Sequence, residues 1–133
     1  MPLNFANEHW VAACVHVKER VLEVFDSCAG YCTDEKMKEM TRDLQYLIPR
    51  VIQRSMFGPH PYESTPLEFR RVTKGVPQQI VGGMACGVFT CRFIELLASD
   101  IPLSAIETFP EDVLRRRMAI ELWMAGVSKY LVS

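Results

Sequence analysis

Apolar and polar residues change rhythm several times along this chain, and each rhythm predicts an element. Trp10 to Val17 reads Trp-Val-Ala-Ala-Cys-Val-His-Val. It is β-branched and largely apolar, which suits a strand buried on both faces. Lys18-Glu19-Arg20 is a polar turn, and Val21 to Asp26 is a second strand. The short connection predicts an antiparallel hairpin. Thr33 is placed to N-cap a helix beginning at Asp34, with an acidic first turn that suits the helix dipole. Met37, Met40, Leu44, Leu47, Ile48 and Val51 recur at helical spacing, so this helix is expected to run to about Met56. Pro49 inside it should kink or split it.

Phe57 to Pro66 carries Gly58, Pro59, Pro61 and Pro66 and predicts a loop. Leu67 to Val72 alternates imperfectly and reads as a third strand, followed by a loop from Thr73 to Ala85. Cys86 to Ala98 predicts a helix with Phe89, Phe93, Ile94 and Leu97 on its apolar side. Ser99 to Glu107 is a connector. Thr108-Phe109-Pro110-Glu111 fits a capping box for a last helix reaching about Leu131. Val113, Met118, Leu122, Met124 and Tyr130 are its expected core positions.

Length and composition narrow the picture. At 133 residues and 49% hydrophobic content, the chain is a single globular domain over 1–133. The net charge of −1 suggests no nucleic-acid partner. The apolar runs are too short for a membrane span, and Met1-Pro2-Leu3-Asn4-Phe5 lacks a signal-peptide pattern. A reducing compartment, nucleus or cytoplasm, is therefore expected. The five cysteines are Cys14, Cys28, Cys32, Cys86 and Cys91, an odd number that argues against a disulfide framework. Cys28 and Cys32 with His16 or His60 lack the second ligand pair of a zinc site, so no metal and no cofactor is expected. Cys14 and Cys91 read as buried, inert thiols.

The candidate chemistry centres on Cys86. A cysteine followed by Gly87 at a loop-to-helix junction suits a nucleophile, because a helix N-terminus offers free N–H groups and partial positive charge. Gly87 would let a substrate backbone approach closely. His9 opens the first strand and Asp26 closes the second. Antiparallel pairing of an even hairpin brings those two ends together, although they are far apart in sequence. Asp26 could then orient His9 as a base. His16 and His60 have no evident carboxylate partner. Upstream, Gln78 and Gln79 are alternative donors to an oxyanion.

His9-Trp10, Val24-Phe25-Asp26-Ser27, Val76-Pro77-Gln78-Gln79 and Cys86-Gly87-Val88-Phe89 stand in an order that resembles the C-terminal catalytic half of the ubiquitin-like-protein-specific cysteine proteases, the SUMO proteases among them. The resemblance covers residues 1 to about 98. It implies an α+β, papain-like cysteine protease core with a small antiparallel sheet flanked by helices. It implies a cysteine-type peptidase or isopeptidase that processes or deconjugates SUMO or another ubiquitin-like modifier. His9 would be the base, Asp26 its orienter and Cys86 the nucleophile. Gln79, as the second residue of Pro-Gln-Gln, would be the oxyanion donor in preference to Gln78. Trp10 would pack over the substrate site.

Two features depart from the family pattern. Ala85 precedes Cys86 where the family usually has Asp, and only eight residues precede His9. The second implies a core lacking most of its substrate-docking half. An inactive fragment acting as a binding module is the alternative. Acetyl transfer is a third reading, with no basic cofactor pocket to support it.

Overall fold

The computed structural model describes residues 1–55, 65–80, 82–106 and 110–130, the last four of these as main chain. Four strands form one sheet in the order β1 (Pro2–Phe5), β2 (His9–His16), β3 (Val21–Phe25) and β4 (Glu68–Val72). The expected hairpin is present. β2 and β3 are antiparallel, with Ala12 opposite Phe25 and His16 opposite Val21. The N-terminal residues add β1, antiparallel to β2 with Phe5 opposite His9.

The predicted strand over 67–72 forms β4, but it joins β3 in parallel, with Val24 opposite Arg71. The sheet is therefore mixed and not wholly antiparallel. The chain leaves β3, passes through two helices and returns from the same end. Such a crossover gives a parallel pair.

Those helices are α1 (Asp34–Met40) and α2 (Arg42–Ser55). Thr33 caps α1, its side chain accepting from the Lys36 N–H at 3.2 Å. The break in the helical stretch falls at Thr41 and not at Pro49. Thr41 is fully buried with φ −96° and ψ 3°. Its main chain keeps both ladder bonds, its N–H donating to the Met37 carbonyl (3.1 Å) and its carbonyl accepting from the Gln45 N–H (3.2 Å), while its hydroxyl donates back to the carbonyls of Met37 (3.0 Å) and Lys38 (3.2 Å), a back-bond of the kind that bends helices. Pro49 sits inside α2 and has no N–H to offer the Gln45 carbonyl. Leu67 N–H takes that carbonyl at 3.0 Å, so the proline leaves no orphan acceptor.

Alternation on the central strands divides the core between two faces. Ala12 and Phe25 pack with Val88, Phe89 and Phe93 of α3 (Cys86–Ala98). Val11, Ala13, Leu22 and Val24 pack on the opposite face with Met37 and Leu67. β2 is thus buried on both faces in its middle, as its composition predicts. Cys91 is exposed on α3, because its helical position turns away from Phe89 and Phe93; it is not a buried thiol.

A short 3₁₀ turn, Leu103–Ala105, leads to α4 (Glu111–Tyr130). Leu114 is buried, but Ile120, Leu122, Trp123 and Met124 are each more than 60% exposed. The expectation that the apolar residues of α4 are core therefore fails at Val113, which is also exposed, and throughout the helix beyond about Met118. They do not fall on one stripe, and only the first turns of α4 meet the body. The Phe57–Pro66 loop falls almost wholly outside the described residues. His60, Thr108 and Phe109 of the capping box, and Leu131 also lie outside them. No described helix is long and apolar enough to cross a membrane.

Phe93 is fully buried between α3 and the sheet. Phe93→Ala is expected to lower the free energy of unfolding by about 3–5 kcal/mol, through lost burial and a residual cavity. The loss is read as a lower urea midpoint at unchanged slope; a cost below about 1 kcal/mol would show that this side chain does not anchor α3.

Candidate active site

His9 is the first residue of β2 and only 3% exposed. It follows a tight turn in which Ala6 and Asn7 adopt positive φ. Asp26 directly follows β3 and is 1% exposed. The two meet as antiparallel pairing requires, with His9 Nε2 2.8 Å from Asp26 Oδ1. A carboxylate only accepts, so Nε2 carries the proton and Nδ1 remains the basic ring nitrogen. Tyr31 packs on the imidazole, ring centroids 4.3 Å apart and tilted by 31°.

Asp26 is enclosed by donors. Oδ1 also accepts from the Cys28 N–H at 2.7 Å, and Oδ2 accepts from Arg71 Nη2 at 2.7 Å. Burial by itself would raise the carboxyl pKa. The hydrogen bonds from His9, Cys28 and Arg71, with the positive charges behind them, override it and hold Asp26 below its ordinary value.

Cys86 heads α3 on the other wall of the same cleft and is partly buried. Ala85 at the N-cap makes no side-chain bond to the helix, so the family's usual Asp has no stand-in there. The cleft holds about 500 Å3 and is lined by His9, Trp10, Tyr31, Gln79, Cys86 and Gly87, among others. Trp10 is 41% exposed at its rim, and a side chain at Gly87 would meet Trp10 Cδ1 at 3.8 Å. No hydrogen bond joins His9 to Cys86 among the described residues. Catalytic contacts of this kind often tighten only around a substrate.

The two glutamines separate by geometry. Gln78 spends its amide on main chain: Nε2 donates to the carbonyls of Asp26 (2.9 Å) and Val76 (3.2 Å), and Oε1 accepts from the Ala29 N–H (2.9 Å). It is a clamp on the Asp26 turn. Gln79 reaches the cleft. Its main-chain N–H donates to the Ser27 carbonyl at 2.8 Å, and its side-chain Nε2 donates to the Gly83 carbonyl at 3.1 Å. One amide hydrogen of Gln79 is left for another acceptor.

Several supporting residues are not evident in the sequence. Glu111 at the head of α4 accepts from the Ile80 N–H at 2.9 Å, and Arg115 donates to the Met84 carbonyl. The last helix thereby holds the loop that leads to Cys86. Gly83 is required there, because a Cβ would lie 2.8 Å from the Ile80 carbonyl oxygen. Arg71 carries one faint signal, a second successive arginine that breaks strand alternation. His16 is a correction. It has a carboxylate partner after all, Glu23 at 2.9 Å, because diagonal positions across the hairpin also meet. That pair lies at the far end of β2, away from the cleft, and His16 is 42% exposed. Among the described residues, no group of three His, Cys, Asp or Glu side chains is arranged to hold a metal ion.

This arrangement can be set beside known proteins. The structure is similar to that of the SUMO protease Ulp1 with its catalytic cysteine oxidised to a sulfenic acid, at a TM-score of 0.64 and 18% identity, over 96% of this chain and 52% of that one. It is also similar to the C-terminal Ulp1 protease domain in complex with Smt3, the yeast ortholog of SUMO, at a TM-score of 0.57 and 20% identity, over 86% of this chain and 45% of that one. The chain thus spans about half the length of these solved proteases. These likenesses establish the shared α+β fold. The comparison with curated proteins returned no match. The model of the Ulp1 protease family, C-terminal catalytic domain, matches residues 1–127, and the chain belongs to that family.

Proposed function

We propose that this chain is a cysteine peptidase or isopeptidase acting on a SUMO-type ubiquitin-like protein or its conjugates. The buried His9–Asp26 pair in one cleft with Cys86 is the observation that carries the reading. His9 Nδ1 takes the Cys86 thiol proton, and the sulfur attacks the carbonyl carbon of the modifier's C-terminal glycine. The C–N bond breaks, His9 returns the proton to the departing amine, and water then hydrolyses the thioester. Gln79 and the Cys86 N–H donate to the oxyanion at the head of α3. Trp10 and Gly87 flank the path of a narrow glycine tail. This chemistry suits a reducing compartment, nucleus or cytoplasm. A modifier-binding module without activity is the competing reading, and the same experiment separates the two.

Incubation with SUMO bearing a C-terminal electrophile is expected to give one covalent adduct, absent in Cys86→Ser. A folded wild-type chain that forms no adduct with SUMO or ubiquitin probes would sink the claim of activity. Among the glutamines, Gln79→Ala is expected to lower kcat by roughly 10²- to 10³-fold, the usual cost of one oxyanion donor. Gln78→Ala should act mainly on stability; equal losses of kcat would reverse the assignment. Gly83→Ala should also reduce kcat, by displacing the loop between Gln79 and Cys86, and adduct formation should slow with it.

The pH dependence follows from Asp26, whose pKa is lowered from 3.8. A lowered carboxylate contributes stability that is present above its unfolded pKa and lost as pH falls through the folded value. Asp26→Asn should therefore destabilise the fold at neutral pH, and its deficit should shrink below about pH 4. Urea unfolding at pH 7 and pH 3 measures this, and an equal deficit at both would contradict it.

A further inference from the structure

The far oxygen of Asp26 leads to a residue that takes no direct part in the proposed reaction. Arg71 lies on β4, and its side chain is 3% exposed. It does not line the cleft, and among the described residues no hydrogen bond joins it to His9 or Cys86. Its Nη2 donates to Asp26 Oδ2 (2.7 Å) and to the Ala29 carbonyl (3.0 Å). Its Nη1 donates to the Cys32 carbonyl (2.8 Å) and to Asp34 Oδ1 (2.8 Å). A single guanidinium thus spans the whole connection between β3 and α1. The parallel register makes this possible: Arg71 sits opposite Val24, so its side chain reaches past the strand end to Asp26.

Two features mark the arrangement as more than a surface ion pair. Arg71 and Asp26 are both dry, whereas Asp34 is 66% exposed. Arg71 Nε is also buried with no partner, the one such side-chain atom among the described residues. Burying a cation with an orphan donor is costly, and a buried ion pair is weak evidence of stabilisation. What the fork does supply is direction. With Oδ2 held by Arg71 and Oδ1 by the Cys28 N–H, the carboxylate cannot rotate away from His9.

We propose that Arg71 is a positioning residue for the triad, acting through Asp26: its guanidinium holds the carboxylate turned toward His9. This rests on reading His9 and Asp26 as catalytic partners of Cys86. A lysine cannot reproduce the effect, since one ammonium cannot serve Asp26, Ala29, Cys32 and Asp34 in the geometry of a planar fork. The other titratable groups around Asp26 are His9 on β2, Tyr31 and Cys32 in the loop, and Asp34 at the head of α1. Glu8 stands near Tyr31, and Lys36 near Cys32.

The test uses Arg71→Met, Arg71→Lys, Asp26→Asn and the Arg71→Met/Asp26→Asn double variant, each checked for folding by circular dichroism. The Asp26 side-chain carbon is titrated by NMR, a readout that needs no activity. In Arg71→Met the midpoint is expected to rise by about 1–3 pH units, the usual effect of a lost adjacent cation. Cleavage of SUMO-aminomethylcoumarin is expected to lose kcat by roughly ten- to a hundredfold at unchanged KM, short of the roughly 10⁴-fold cost of a lost triad carboxylate. Arg71→Lys should fall between wild type and Arg71→Met. The double variant should be no slower than Asp26→Asn alone. An unmoved Asp26 midpoint in folded Arg71→Met, or losses that multiply in the double variant, would overturn the proposal. Should Arg71→Met not fold, Arg71→Lys decides: wild-type midpoint and kcat together overturn it. Should the wild-type chain cleave nothing, the peptidase reading fails, while the Asp26 titration still decides the role of Arg71.

Discussion

A carboxylate buried to 1% exposure is unstable unless every face of it is answered, and Asp26 is where the elements of this fold converge to answer it. His9 comes from the start of β2, the Cys28 N–H from the turn after β3, and Arg71 from β4. Gln78 adds a bond to the Asp26 carbonyl from the loop that leads toward α3. Misplacing any one of these would leave a buried charge or a buried donor unpaired. The same bonds that offset the desolvation of Asp26 also hold its pKa low, so stability and the ionised state of this carboxylate have one cause.

Cys86, the proposed nucleophile, is positioned by a different set of forces. Phe89 and Phe93 pack α3 on the face of the sheet that presents Ala12 and Phe25. The approach to Cys86 is then held from two sides. Ser27 fixes Gln79, and Glu111 and Arg115 of α4 fix Ile80 and Met84. Gly83 lets the loop pass close to its own Ile80 carbonyl, and Gly82 supplies the positive φ of the bend. α4 therefore supports the loop that leads to Cys86 through its first turns while its outer apolar residues stay exposed.

Much of the site was legible because it depends on local pattern. A hairpin of two apolar strands with a short polar turn brings its outer ends together, so its pattern alone pairs His9 with Asp26. The same rule carried further would have paired His16 with Glu23 at the other end. α3 begins at Cys86 as the loop-to-helix change predicts. Pro49 is a strong local signal for a break, while its effect depends on what takes the Gln45 carbonyl. That partner is Leu67, and the bend falls instead at the buried Thr41, whose hydroxyl bonds back to the preceding turn.

By itself the sequence determined which residues could carry the chemistry, their order, and the strand and helix ends on which they sit. These follow from side-chain type and from periods of two and 3.6, which are properties of neighbouring residues. Only the tertiary structure decided that β4 runs parallel, that Arg71 thereby reaches Asp26, and that Gln79 enters the cleft while Gln78 clamps a turn. Those outcomes depend on strand direction and register between segments far apart in the chain, where one residue of offset sends a side chain to the other face.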